Sequence, residues 1–183
     1  DEAVTLFQAM NTGHTTFSTM HADSIETVIN RLENEPINVP RAMVQSLDLL
    51  CVQTLTRVGG ERVRRSKAIG EIGEIDQRTG ELDYSRAFTW DAETDSFERS
   101  DSSLLDEIQR ERGWTRTERK QEMRRRKRFL QLLSDIGTTD YRAFTALVNE
   151  YYADPERVMD RLEAADPPAG GADVGGSGIY DDE

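Results

Sequence analysis

Cysteine is almost missing from this chain: Cys51 stands alone among 183 residues. An internal disulfide framework is therefore excluded, and the composition fits a reducing cytoplasm. Lysine is nearly as scarce, with Lys67, Lys120 and Lys127 the only three among 23 Lys plus Arg. No run approaches the roughly 18 apolar residues of a membrane-spanning helix, and the mean hydropathy of −0.68 reads as a soluble chain. No signal peptide is visible, although a truncated start would hide one. No two His or Cys stand at the short spacing of a zinc site. No G-x-S-x-G nucleophile elbow is present either, which leaves Ser/His/Asp hydrolysis without its usual signal.

What remains is strongly acidic. The net charge is −12 over a length that fits one domain with appendages. An acidic, Lys-poor surface suits solubility at high salt, where screening shortens charge repulsion to a few ångströms.

The most informative stretch is Asn11 to Ser24, which holds both histidines, His14 and His21, in a run rich in hydroxyls. Ahead of it Ala3, Leu6, Phe7 and Met10 recur at helical spacing, and Gly13 sits where a left-handed helix stop belongs. Thr15 to Thr19 is rich in β-branched and aromatic residues and reads as a short strand. Asp23 or Ser24 can then cap a helix with Ile25, Val28, Ile29 and Leu32 on one face. The order is helix, turn, strand, capped helix, with a histidine at each end of the strand. Polar groups at strand termini of an α/β sheet mark a ligand site; ordinary turn and capping histidines fit the same spacing, and the residues alone leave both readings open.

Further along, Pro36 and Pro40 punctuate a loop, and Pro40 opens a short helix from Arg41 to Leu47. Leu49 to Val58 reads as a strand, Gly59-Gly60 as a turn, and Arg62 to Asp76 as a longer strand with a bulge at Gly70 and Gly73. Gln77 to Gly80 turns into Leu82 to Trp90, and Ala92 to Asp95 turns into Phe97, completing an antiparallel meander.

From Asp101 the period becomes helical. Leu104, Leu105 and Ile108 form a short amphipathic helix stopped by Gly113. Thr115-x-x-Glu118 is a capping box opening a helix to about Ile136, with Met123, Phe129, Leu130, Leu133 and Ile136 inward. Asp140 caps the next helix, with Phe144, Leu147, Val148 and Tyr151 on its face, and Asp154-Pro155 starts a last one through Leu162. Four such helices make a small bundle. From Asp166 to Glu183, two prolines, five glycines and five acids read as a disordered tail.

One helix breaks the acidic pattern. Residues 112–128 carry nine Lys/Arg against Glu118 and Glu122, a net +7 that leaves −19 for the rest of the chain. A solvated or intersubunit face, an anionic lipid surface or acidic loop, and nucleic acid are all open to such a helix.

Thr12-Gly13-His14, followed by Ser18-Thr-Met-His-Ala22, resembles the His box of the type II/type IV secretion ATPase superfamily, the motors of pili, archaella and DNA transfer. Glu2-Ala3 is similar to the acidic-plus-small pair after that family's Walker B strand. Arg64-Arg65 through Glu74-Ile-Asp76, Phe88-Thr-Trp-Asp91 with Asp95-Ser-Phe97, and Tyr151-Tyr152 with Asp154-Pro-Glu156 resemble the archaeal branch. The resemblance covers roughly residues 1 to 164.

It implies an α/β fold: the C-terminal half of a RecA-like ATPase core over residues 1–99, with the β meander, then a helical bundle over 100–164 and a disordered acidic, Gly-rich tail over 165–183. It implies a homo-hexamer coupling ATP hydrolysis to pilin or substrate movement, at the inner face of the cell membrane, with a polytopic membrane platform as partner. With the acidic, Lys-poor composition it also points to a halophile. Carried over residue by residue, His14 and His21 are the His-box pair that senses the γ-phosphate, Glu2 orients water or a neighbouring arginine, and Thr19 positions His21. The departure from the family matters as much. Nothing here reads G-x-x-x-x-G-K-[ST], so ATP and magnesium belong to a longer parent, and this piece alone is not expected to hydrolyse ATP. The alternative is a non-catalytic interaction module that docks on the motor or its platform.

Overall fold

The computed structural model describes residues 2–165, and the acidic tail expected beyond them lies outside the described residues. The chain divides at Ile108/Gln109 into two compact units. The first contains α1 (Glu2–Asn11), α2 (Ile25–Glu33), α3 (Arg41–Val44), and the strands β1 (Leu49–Val58), β2 (Glu61–Ile75), β3 (Leu82–Asp91) and β4 (Ser96–Arg99). Helix α4 (Ser103–Glu111) begins in this unit. The second contains α5 (Arg116–Asp135), α6 (Tyr141–Ala153) and α7 (Pro155–Ala165).

The four strands form one antiparallel sheet in the order β1-β2-β3-β4, the meander expected from the turn signals. Pairing slips at two places between β2 and β3, after Ile69 and after Ile72, which puts the irregularity at Gly70 and Gly73 where the broken alternation placed it. One face of the sheet is covered. Val52 and Ala68, directly opposite each other, join Phe7 of α1, Ile25, Val28, Ile29 and Leu32 of α2, and Val44 of α3 in one core. Leu50, Ile72 and Tyr84 pack at its margin. Burying apolar groups of this size stabilises the unit by about 1.5–3 kcal/mol each. On the other face, Leu49 and Leu55 are about half exposed.

Glu71 is the exception on that open face. It lies opposite Leu49 yet is 4 % exposed, because the first turn of α4 closes over it. Its carboxylate accepts from the Ser102 hydroxyl, from the Ser103 hydroxyl at 2.8 Å and from the Leu104 amide at 3.2 Å. A buried carboxylate is tolerated here because it meets the unpaired amides and positive end of a helix.

Helix α3 is shorter than expected. It ends at Val44 rather than Leu47, since the Ser46 hydroxyl bonds back to the Met43 carbonyl and the Asp48 carbonyl already accepts from Ile72 of β2. The strand expected at Thr15 to Thr19 does not form; residues 14–22 are irregular, and Phe17 is 94 % exposed. β-branched residues favour a strand only where a neighbour takes their backbone hydrogen bonds, and the sheet among the described residues runs only from β1 to β4.

In the second unit Phe129, Leu132 and Leu133 of α5 meet Tyr151 of α6 and Val158 and Leu162 of α7. Phe129 stacks on Tyr151 with ring centres 4.5 Å apart. Two inward assignments on α5 need correction: Leu130 and Ile136 are exposed, and Leu132 is the fully buried residue. Phe129, Leu132 and Leu133 span one helical face at spacings of three and four, and α6 and α7 cover that face. The capping box is complete, with Thr115 Oγ1 accepting from the Glu118 amide at 3.2 Å and Glu118 accepting from the Thr115 amide at 2.7 Å.

Candidate functional site

The histidine segment is held at both ends and open between them. At its start, α1 closes in a Schellman arrangement: the Gly13 amide donates to the Met10 carbonyl and the His14 amide to the Ala9 carbonyl, at 2.9 and 3.1 Å. This needs a left-handed residue between them, and Gly13 has φ +83°. The Thr12 hydroxyl, which also donates to the Ala9 carbonyl, lies 3.0 Å from His14 Nδ1. A local turn thus orients the first imidazole by its Nδ1 edge.

At the far end Ser24 caps α2, its Oγ accepting from the Thr27 amide at 3.1 Å. The Thr27 hydroxyl donates to Asp23 Oδ1 at 2.8 Å, and Lys67 of β2 donates to the Asp23 carbonyl at 3.0 Å. The Thr27 hydrogen bond is the main reason that the Asp23 carboxyl is held below its ordinary range. His21 sits two residues before this clamp.

Of the residues singled out from sequence, His14, Thr19 and His21 are all exposed. No hydrogen bond among the described residues joins Thr19 to His21; the hydroxyl that touches a histidine is that of Thr12 on His14. Glu2 lies in the first turn of α1, where it lines a shallow depression with Thr5, Leu6 and Ala9. Sequence reasoning missed Lys67, which reaches the segment from a strand more than forty residues away. A lone lysine in a long strand carries no local signal of that contact. Among the described residues no three His, Cys, Asp or Glu come together as a metal site.

Chemically, the segment presents two imidazoles and a row of hydroxyls on a surface pinned to α1, α2 and β2. Imidazoles can donate to an anionic oxygen or carry a proton near neutral pH.

Comparison with known proteins adds a family relation at the other end of the chain. Residues 93–173 match the family model described as PilB3-like, C-terminal. The match relates this part of the chain to PilB-type proteins, a family associated with type IV pilus and secretion ATPases. The segment with both histidines lies outside the matched residues. Three relatives are proteins of Methanocaldococcus jannaschii. Uncharacterized protein MJ1287 is 44 % identical over 105 residues, which is 57 % of this chain and 39 % of that protein. MJ0900 is 33 % identical over 109 residues, 58 % of this chain and 20 % of the relative. MJ0781 is 28 % identical over 142 residues, 77 % of this chain and 20 % of the relative. The matched part thus spans two-fifths or less of each relative's length.

Proposed function

We propose that this chain is the C-terminal portion of a secretion or type IV pilus (or archaellum) motor ATPase that works as a homo-hexamer, coupling ATP hydrolysis to movement of pilin or substrate at the membrane. The observation that carries the reading is the match of residues 93–173 to the PilB3-like C-terminal family. The His-box resemblance of residues 12–22 supports it from the other end of the chain. On this reading α1, the histidine segment and α2 belong to the RecA-like core of the parent, and the meander follows as its extension.

His14 and His21 then act as donors to the terminal phosphate of a nucleotide held by the parent's own phosphate-binding loop, with magnesium there to offset charge on the phosphates. This chain's donor set fits sensing and not binding: it offers imidazoles and hydroxyls and has no G-x-x-x-x-G-K-[ST] sequence. The Thr12 contact holds His14 in place, and the clamp of Asp23 by Thr27 and Lys67 fixes the backbone after His21. Glu2 serves as an orienting group near the Walker B acids.

The test is phosphate release by the purified parent polypeptide. His21→Ala is expected to lower kcat by at least about tenfold, the scale of a lost donor to developing charge. Full ATPase activity in His21→Ala would remove that histidine from the mechanism. A native polypeptide no larger than the 20.8 kDa of this chain, detected by antibody, would remove the motor and leave an interaction module.

A further inference from the structure

Tyr141, Phe144, Val148 and Tyr152 follow one another on α6 at spacings of three, four and four, which sets them in one stripe along the helix. At 1.5 Å per residue the stripe is about 16 Å long. Val148 packs against the core of the second unit and anchors the inner margin of the stripe. The rings stand out from it: Tyr141 is 79 % exposed, Tyr152 70 % and Phe144 38 %. α5 meets the stripe at its far end, where the Arg126 guanidinium lies 5.8 Å from the centre of the Tyr152 ring. Leu130, one turn beyond Arg126, is 52 % exposed on that flank of α5. The seam between α5 and α6 thus carries an open apolar strip, and contiguous apolar surface of this kind marks a place where another segment docks.

The strip has a basic edge. Glu122 accepts from Arg126 Nε at 2.7 Å and also from Arg125, so two guanidinium groups share one carboxylate and keep a net positive charge. Over residues 109–165 there are 13 Lys/Arg against 10 Asp/Glu, a net +3, whereas residues 166–183 hold five acids and no base, a net −5. The two parts of the chain are therefore complementary in charge. They join close to α5: Glu163 of α7 lies 3.8 Å from Arg128, and the helix stops two residues later at Ala165. Thirteen residues then lead to Ile179-Tyr180, a pair of large apolar side chains followed by Asp181, Asp182 and Glu183. Thirteen extended residues reach up to about 45 Å, enough to pass a helix about 10–12 Å across and arrive at the strip.

We propose that Ile179 and Tyr180 seat on this strip, with Asp181, Asp182 and Glu183 against the basic edge of α5. A tyrosine ring set among Tyr141, Phe144 and Tyr152 finds edge and stacking partners, and an isoleucine finds Leu130. Two such anchors make a weak contact between separate molecules. Held on one chain, they act at an effective concentration in the millimolar range. A second copy also offers apolar surface, but it brings the same basic edge to face its like, and each copy carries a net charge of −12. The inference stands apart from the motor reading above, since it uses neither histidine and no nucleotide.

The test is a nitroxide attached at Ser177→Cys in the full 183-residue chain, with Cys51→Ser removing the native thiol. Paramagnetic broadening of the Leu130 and Val148 methyl signals and of the Tyr152 ring signals is expected, severalfold beyond that of the reduced label and unchanged on dilution. Ile179→Ser with Tyr180→Ser, in the same labelled chain, is expected to abolish the broadening with the thermal melt unchanged. Leu130→Ser, at an exposed position, is expected to weaken it. Signals that stay sharp in the labelled chain overturn the proposal, as does broadening that the double variant retains. Broadening that grows with concentration, alongside a mass near twice 20.8 kDa, overturns it in favour of a second copy.

Discussion

Gly70 of β2 lies directly beneath Ile25 of α2. A methyl group on Gly70 would stand 2.3 Å from Ile25 Cδ1 and 3.1 Å from its Cγ1. Ile25 is 1 % exposed and enclosed by the core, so it has little room to retreat. Gly70→Ala is expected to destabilise the first unit by about 1–3 kcal/mol, the usual cost of overpacking. Urea denaturation of Gly70→Ala, Ile25→Val and the double variant checks it. The double variant should be more stable than the sum of the two single losses predicts.

A second expectation concerns Glu71. Glu71→Ala leaves the Ser102 and Ser103 hydroxyls and the Leu104 amide without their acceptor. The loss should be about 1–3 kcal/mol, with faster amide exchange in the first turn of α4. Glu71→Gln keeps one acceptor oxygen and should cost less. Equal stability of the alanine variant and the parent would show that the carboxylate contributes nothing to holding α4.

Acid should weaken the first unit through two carboxylates. Glu26 is held at about 2, from an ordinary 4.5, chiefly by the hydrogen bond from the Tyr84 hydroxyl, with Arg86 adding charge. Asp95 is held at about 2, from 3.8, chiefly by the two-pronged contact of Arg65 and then by the Trp90 indole, each between 2.7 and 2.9 Å. Both values are lowered on folding, so the stability they confer is present above pH 4.5 and drains away as pH falls toward 2. Both groups are partly exposed to solvent, and screening keeps the effect modest. Urea midpoints measured from pH 6 to pH 2 should fall, and Glu26→Gln with Asp95→Asn should flatten that fall.

On α5, Leu132→Ala should cost about 2–5 kcal/mol and Leu130→Ala within about 0.5 kcal/mol, since the first is fully buried and the second half exposed. Thermal denaturation followed by helix signal separates them. Comparable losses would mean that α5 turns a different face to its neighbours.

The contrast between those two leucines marks how far the sequence could be read. Strand β1 was legible to the residue, because Leu49 to Val58 alternates, if unevenly, between apolar and polar residues and Gly59-Gly60 ends it. The caps at Ser24, Thr115 and Asp140 were legible because a capping side chain acts within three residues. On α5 four apolar residues crowd one stretch, and only α6 and α7 decide which three go inside. Glu71 reads as a solvated strand residue until α4, some thirty residues on, closes over it. At the candidate site, the two histidines stood out as the chain's only ones, set in a hydroxyl-rich run, but their setting depends on Thr12 and on Lys67, and only the first is a neighbour in sequence.

The order β1-β2-β3-β4 has a kinetic side. Every strand pairs with the one that precedes or follows it, through turns of two to six residues, so little of the sheet waits on distant segments finding each other. Loop closure is then short at each step, and low contact order is the setting in which small domains fold fastest. The slow event in the first unit should instead be the arrival of α1 to α3, whose apolar residues pack on the sheet together with Val39. A hydrogen-exchange pulse during refolding should find the amides of β2 and β3 protected before those of α1.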